Sequence, residues 1–504
     1  MKKIAERNAL FLFLFPIFII IQLEKEFHHV IAYRFVIDRV LIFFAAPLLF
    51  YFFWRLFFKQ PPKAALMALG CLLIFYFSGD LKTWLSARFP NSFIQSYVFL
   101  FLIFSFFLLL LFAWLKLRER RFTHSFLFIN SLLLVFILAD AAILLMKGNK
   151  GRYSIISDIE LKNTACNSCS RPDIYYIIFD AYISSERLRT EFNYSNKYID
   201  DWLTNKGFRV IPQSKSNYNF TAYSIGSIFN LNYIQNADTI GIISDREYLQ
   251  ALKLVYCNSL IPYLQKEGYQ IFNYSIFDIA SHPAFIQNID FWRVRELFDQ
   301  YNLLYKFYHD IEYQLPRSVK NFLKNKYFVN SLENRVRTDS AILNQLLHTV
   351  SAKENGPKFV YAHFLRPHLP FFADSLGHSL ANRPITLKDA YNHQIAWSNR
   401  VIKEIADSIF VHSQRPFVII IQGDHGCFPK PQNPRDFFPN FNAVYFSNKD
   451  YSLITDSTHS VNTFRIVLNT FFNKSYDLLR YQSYPFNSER TNSQKISPVS
   501  YPKN

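Results

Sequence analysis

The sequence predicts an α-helical transmembrane bundle followed by an α/β domain with a mostly parallel central sheet between helices. Three observations carry this reading. Residues 1–150 are dominated by Phe, Leu and Ile, whereas the rest reads as an ordinary globular chain. Beyond Pro172, short runs rich in β-branched and aromatic residues alternate with amphipathic stretches, the pattern of buried strands covered by helices. Two of those strands run into acidic residues, Asp180 and Asp424, where open α/β sheets place their ligands.

Five apolar stretches make up the bundle of residues 1–150: 9–23, 40–58, 64–77, 97–115 and 126–146. Crossing a bilayer takes about 20 residues, so the second, fourth and fifth are long enough, while the first and third are short. The first follows Lys2, Lys3 and Arg7 but lacks a small-residue cleavage site, and further apolar runs come after it. It therefore reads as a retained helix, not a signal peptide.

The net charge is +17, of which +10 belongs to residues 1–150. Lys2, Lys3 and Arg7, then Lys59 and Lys63, then Lys116, Arg118, Arg120 and Arg121 all fall on one side of five spans. The positive-inside rule makes that side cytoplasmic. An odd number of spans then delivers the α/β domain to the other side. The expected location is the cytoplasmic (inner) membrane, multi-pass, with the α/β domain on the extracytoplasmic, periplasmic side. A nucleic-acid partner is not expected, because the basic excess flanks membrane segments instead of striping the soluble part.

Residues 151–171 form a linker holding Cys166 and Cys169 in a C-x-x-C. No second C-x-x-C accompanies it, which argues against a zinc ribbon. Outside the cytoplasm this pair is a small disulfide or a redox pair. Cys71 lies in an apolar run, and Cys257 and Cys427 are isolated.

Within 172–484, strands are expected at 174–179, 269–274, 359–364, 417–421 and 442–446, with helices at 339–351 and 391–409. Residues 485–504 are rich in Ser, Asn and Lys and read as a flexible tail.

Four elements carry candidate chemistry. The strand at 417–421 leads into Gly423-Asp424-His425-Gly426. A carboxylate beside an imidazole suits Zn or Mn, and the flanking glycines imply close backbone approach. Asp180 is a second strand-end carboxylate, with a helix N-cap as its alternative role. Thr221 closes Asn217-Tyr218-Asn219-Phe220-Thr221 ahead of a helical stretch at 222–229. It is either that helix's cap or a nucleophile, since a nearby metal lowers a hydroxyl pKa and a helix N-terminus receives an anion. Last, His363, Arg366 and His368 lie at and just past the end of the strand at 359–364 and suit an anion or a second metal. His363 also reads as a structural histidine.

In order, the segments PDIYYIIFDAY, SNYNFTAYSIGSIFNLNYI, HFLRPHLPF, VIIIQGDHG and SVNTFRIVLNTFF resemble the membrane-bound, sulfatase-like branch of the alkaline phosphatase superfamily, near the phosphoethanolamine and phosphoglycerol transferases. The resemblance covers residues 172–484 and implies an alkaline-phosphatase-like fold. It implies a divalent metal ion, Zn or Mn with Mg or Ca as further options, held by Asp180, Thr221, Asp424 and His425. Thr221 would attack phosphorus and form a covalent phospho-threonine. His368 would contact the transferred group or a second metal, and His363, Arg366 and Asn217 would bind oxyanion oxygens.

The chain also departs from that pattern. Cys427-Phe428 stands where related membrane-bound sequences continue DHG with Pro-Arg, Ala181 replaces the usual Gly, and His459-Ser460 replaces the usual Pro before Val461. Sulfatases of this superfamily need a Cys or Ser in C/S-x-P-x-R, which Thr221-Ala222-Tyr223-Ser224 is not. The resemblance thus implies transfer of a phospholipid head group to a cell-envelope glycan or lipid acceptor, although those transferases usually supply Glu where this chain has Asp180. A phosphoester hydrolase of the same superfamily is the alternative. A catalytically inactive membrane scaffold or glycan-binding protein is the alternative of another class.

Overall fold

The computed structural model describes residues 9–27, 37–89, 92–118, 122–147, 169–237, 242–243, 245–286, 332–353, 355–380, 385–426 and 437–488. Among the described residues, those up to Lys147 form a helical unit and those from Cys169 onward an α/β unit.

The helical unit contains α1 (Phe11–Phe27), α2 (Ile37–Arg55), α3 (Pro61–Arg88), α4 (Tyr97–Leu117) and α5 (Thr123–Lys147). Each takes in one of the five apolar stretches. Among the described residues, three helices are long and apolar enough to cross a membrane, at Pro61–Ser86, Tyr97–Leu117 and Thr123–Leu145. The lengths expected for the second and third stretches are corrected. The second leaves its helix at Arg55 and turns toward Pro61 and Pro62, so its apolar helix is only Val40–Arg55. The third is a 28-residue helix, because prolines open its first turn and it continues past Phe77 through polar residues that hydropathy alone excluded. On α5, the buried Asp140 pairs with Lys25 of α1 at 2.5 Å and with Gln22. A bundle accommodates an ionisable group in this way, by pairing it inside.

The α/β unit has β1 (Asp173–Phe179), β2 (Arg209–Val210), β3 (Ile242–Ile243), β4 (Gln270–Tyr274), β5 (Lys358–Phe364), β6 (Phe417–Gly423), β7 (Asn442–Phe446) and β8 (Asn487–Ser488). Six of them form one sheet in the order β2-β7-β6-β1-β5-β4. Strands β4, β5, β1 and β6 are parallel, and β7 runs antiparallel to both β6 and β2. Every residue of β1 and β5 is buried. Successive side chains face opposite sides of a sheet, so both faces are covered, which is why these strands read as unbroken apolar runs.

Register places the site. Ile178 lies beside His363 across β1 and β5, and Phe179 lies beside Gly423 across β1 and β6. The carboxyl ends of three adjacent strands therefore meet at one sheet edge. The remaining helices are α6 (Ser185–Phe192), α7 (Lys197–Asn205), α8 (Thr221–Phe229), α9 (Asp245–Tyr256), α10 (Leu260–Lys266), α11 (Leu332–Ser351), α12 (Leu387–His412) and α13 (Thr463–Phe471).

The tail boundary at 485 is also corrected. Strand β8 pairs with β3, and buried Phe486 exchanges both backbone hydrogen bonds with the Asn219 side chain. A polar composition concealed this anchor. Cys169 is disulfide-bonded and Cys71 and Cys257 are free thiols. Cys166, Cys427 and most of the 151–171 linker lie outside the described residues.

Candidate active site

Asp180 is the first residue beyond β1, and Asp424 the first beyond β6. The backbone between them is drawn tight. Ala181 adopts φ 61°, the left-handed region that costs an L-residue roughly 1–2 kcal/mol, and its N–H donates to Asp424 Oδ1 at 2.8 Å. A Cβ at Gly423 would collide with the carbonyl of Tyr182, and one at Gly426 with the carbonyl of Phe437. Only glycine lets the chain pass this closely.

His363 belongs to β5 and is fully buried. Its Nδ1 is 2.8 Å from the Tyr361 hydroxyl, two residues back on the same face of the strand. That leaves Nε2 directed at the carboxylates, 3.9 Å from Asp180 Oδ2. Ligand atoms of Asp180, His363 and Asp424 all lie within 4.8 Å of one another. Three buried polar atoms here have no hydrogen-bond partner: Asp180 Oδ1, His363 Nε2 and Asp424 Oδ2. Leaving such atoms unsatisfied is costly, and a cation meets all three at once. Two carboxylates and one imidazole fit Zn or Mn.

The electrostatics agree. Burial, then the Asp424 charge, push the Asp180 carboxyl well above its ordinary range. Burial acts upward on Asp424 too, but His425, His363, the Ala181 N–H and the Thr221 hydroxyl hold it below its ordinary value. Burial lowers His363 to about 4, so its imidazole is neutral and able to ligate at neutral pH.

Thr221 is the first residue of α8, and the N-cap is Phe220. Its hydroxyl does not cap the helix, because Oγ1 lies 3.2 Å from His425 Nε2. The imidazole Nδ1 is 2.7 Å from the Gly426 carbonyl. A carbonyl only accepts, so Nδ1 carries the proton and Nε2 offers its lone pair to the Thr221 hydroxyl. The same Nε2 is 3.4 Å from Asp424 Oδ2 and 3.7 Å from Asp180 Oδ1. Ser224, one turn along α8, donates to the Asp424 carbonyl at 2.5 Å and fastens the helix to the Asp424–Gly426 turn.

The sequence-expected residues thus separate. Asp180, Thr221, Asp424 and His425 converge, and His363 joins the candidate ligands instead of the oxyanion contacts. His368 lies nearby, its ring 6.2 Å from that of His425, with burial and then His425 lowering it to about 4. Arg366 does not reach the site. It is buried, pairs with Asp339 of α11 at 3.0 Å and stacks 3.7 Å over Trp397. Asn217 is likewise committed elsewhere. It donates to the Tyr233 hydroxyl and the Gln482 carbonyl and accepts from the Val461 N–H, tying the C-terminal segment to the turn before α13. His459 bonds Tyr233 and Asn462 and is not among the clustered ligands. Sequence reasoning does not single out Tyr361, Ser224 or Asp339. For Tyr361, the two-residue spacing from His363 was a readable signal.

No protein-family model matches this chain, and no curated protein matches it in sequence. Solved structures do. The periplasmic domain of phosphoethanolamine transferase EptC from Campylobacter jejuni matches at 9% identity, over 60% of this chain and 90% of its own, with a TM-score of 0.34. The corresponding Escherichia coli domain in complex with Zn matches at 12% identity over 66% and 88%, TM-score 0.38. Phosphoethanolamine transferases and a proposed sulfatase from Bacteroides fragilis are thus among the solved structures this chain is similar to. The integral membrane transferase EptA from Neisseria meningitidis, membrane part included, matches at 14% identity over 84% of this chain and 83% of its own, TM-score 0.36.

Proposed function

We propose that this chain is a membrane-anchored, metal-dependent phosphotransferase that moves a phospholipid head group to a cell-envelope glycan or lipid acceptor through a phospho-Thr221 intermediate. One observation carries the reading: a hydroxyl on the first residue of a helix, bonded to an imidazole lone pair, beside three unsatisfied ligand atoms. A structural threonine requires none of these neighbours.

Asp180, Asp424 and His363 would hold the divalent ion, with the Thr221 oxygen as an adjacent donor. When bound, that ion lowers the hydroxyl pKa and offsets charge on the phosphoryl oxygens. Thr221 Oγ attacks phosphorus, and the Oγ–P bond forms as the bond from phosphorus to the diacylglycerol oxygen breaks. The His425 lone pair is placed to accept the hydroxyl proton, which then leaves with diacylglycerol. In the second half the acceptor hydroxyl oxygen attacks phosphorus as the Thr221 Oγ–P bond breaks, and the acceptor's proton returns to Thr221 by way of His425. The α8 N-terminus faces the anion with free N–H groups throughout. The basic loops and the Cys169 disulfide support an extracytoplasmic site.

The test is peptide mass spectrometry on detergent-purified protein incubated with Mn or Zn and mixed bacterial phospholipids. A head-group adduct on Thr221, absent from Thr221→Ala, is expected, and its mass identifies the donor. Lipid cleavage without an adduct would replace the transferase with a hydrolase. No metal and no turnover would leave the scaffold.

A further inference from the structure

A phosphoryl group entering this site meets two carboxylates, so its oxygens need a cation of the protein's own. Arg366 cannot serve, because Asp339 and Trp397 hold it in the interior. Cys427-Phe428 stands where the resemblance would supply an arginine.

Helix α11 brings another arginine to the same place. Asp339 accepts from the Leu365 N–H at 2.9 Å and from Arg366 at 3.0 Å, pinning one face of α11 against the segment that leaves β5. Arg335 lies four residues earlier, on that same face. Its Nη1 donates to the Leu369 carbonyl at 3.3 Å, next to His368. The residue is half-buried and its Nε is inaccessible to solvent, so the guanidinium lies within the protein on this face of α11. His368, the residue before Leu369, has its ring 6.2 Å from that of His425, which brings Arg335 to the flank of the candidate site.

Building on the functional reading above, we propose that Arg335 binds the anionic oxygens of the phosphoryl group at this site, the role expected of Arg366. A guanidinium suits this task because its planar fork matches two phosphoryl oxygens.

The experiment measures binding of inorganic phosphate to full-length, detergent-solubilised, Mn-loaded protein by calorimetry, with Mn content determined in parallel. Arg335→Gln is expected to weaken phosphate binding about 10-fold or more while keeping its Mn. Arg335→Lys, which keeps the charge and loses the fork, is expected to fall between the two. Unchanged phosphate affinity in Arg335→Gln overturns the assignment. Loss of Mn in both variants also overturns it, because Arg335 would then be stabilising the carboxylates and not the anion. Should Arg335→Gln not fold, Arg335→Lys decides, and wild-type affinity in that variant overturns the fork contact. A wild-type protein that takes up Mn but no phosphate sinks the phosphotransferase reading, and this assignment with it.

Discussion

The Thr221 hydroxyl and the His425 Nε2 stand 3.2 Å apart, with the imidazole proton fixed on the opposite nitrogen by the Gly426 carbonyl. The proposed nucleophile and the group proposed to take its proton are thereby already in contact. Thr221→Ala is expected to abolish adduct formation and lower phosphoryl transfer by about a thousandfold or more. Because Phe220, and not Thr221, is the helix cap, the melting temperature should hardly move. A variant that unfolds instead would return Thr221 to a structural role.

The metal prediction separates two histidines that look alike in sequence. His363 Nε2 is buried, unpartnered and clustered with Asp180 and Asp424, whereas His368 is outside that cluster. Asp180→Asn, Asp424→Asn and His363→Gln should each purify with much less Zn or Mn than the parent, by elemental analysis. His368→Gln should keep its full complement. Equal metal loss from both histidine variants would mean that the site extends to His368.

How far the sequence could take this reading depends on the range of the forces involved. Local pattern located the five long strands and the glycines around Asp424, because strand periodicity and close backbone approach act within a few residues. It also singled out Asp180, Thr221, Asp424 and His425, whose neighbours in sequence are the turns that aim them. It misplaced Arg366, because the carboxylate that captures this side chain, Asp339, comes from a helix 27 residues earlier. Arg335 was invisible for the same reason, since nothing local distinguishes one helical arginine from another. Asn217 looked chemical beside Thr221, yet two of its side-chain partners, Val461 and Gln482, lie 244 and 265 residues away.

The Arg366–Asp339 pair supports its own prediction. Both side chains are essentially inaccessible, at 1% and 0%. Removing one partner leaves the other as an uncompensated buried charge, which costs about 3–5 kcal/mol. Arg366→Met should therefore lower the thermal midpoint sharply. Asp339→Asn keeps an acceptor for the Leu365 N–H and should cost less than Asp339→Leu. Comparable, small effects for all three would show that the pair contributes little.

The pH response of folding gives a test outside the metal cluster. Burial lowers His459 from 6.5 to about 4, so the native state keeps it neutral while the unfolded chain takes up a proton. Its contribution to stability is complete above 6.5 and is lost as pH falls toward 4. Asp180, whose carboxyl is pushed upward, acts in the opposite direction, so the absolute slope mixes several groups. The difference between the parent and His459→Gln isolates one of them. Denaturant unfolding of both at pH 7, 6 and 5 should show the parent losing stability faster on acidification, with the two curves converging at the acid end. Parallel curves would mean that His459 titrates normally in the folded protein and that its burial beside Tyr233 carries no proton linkage.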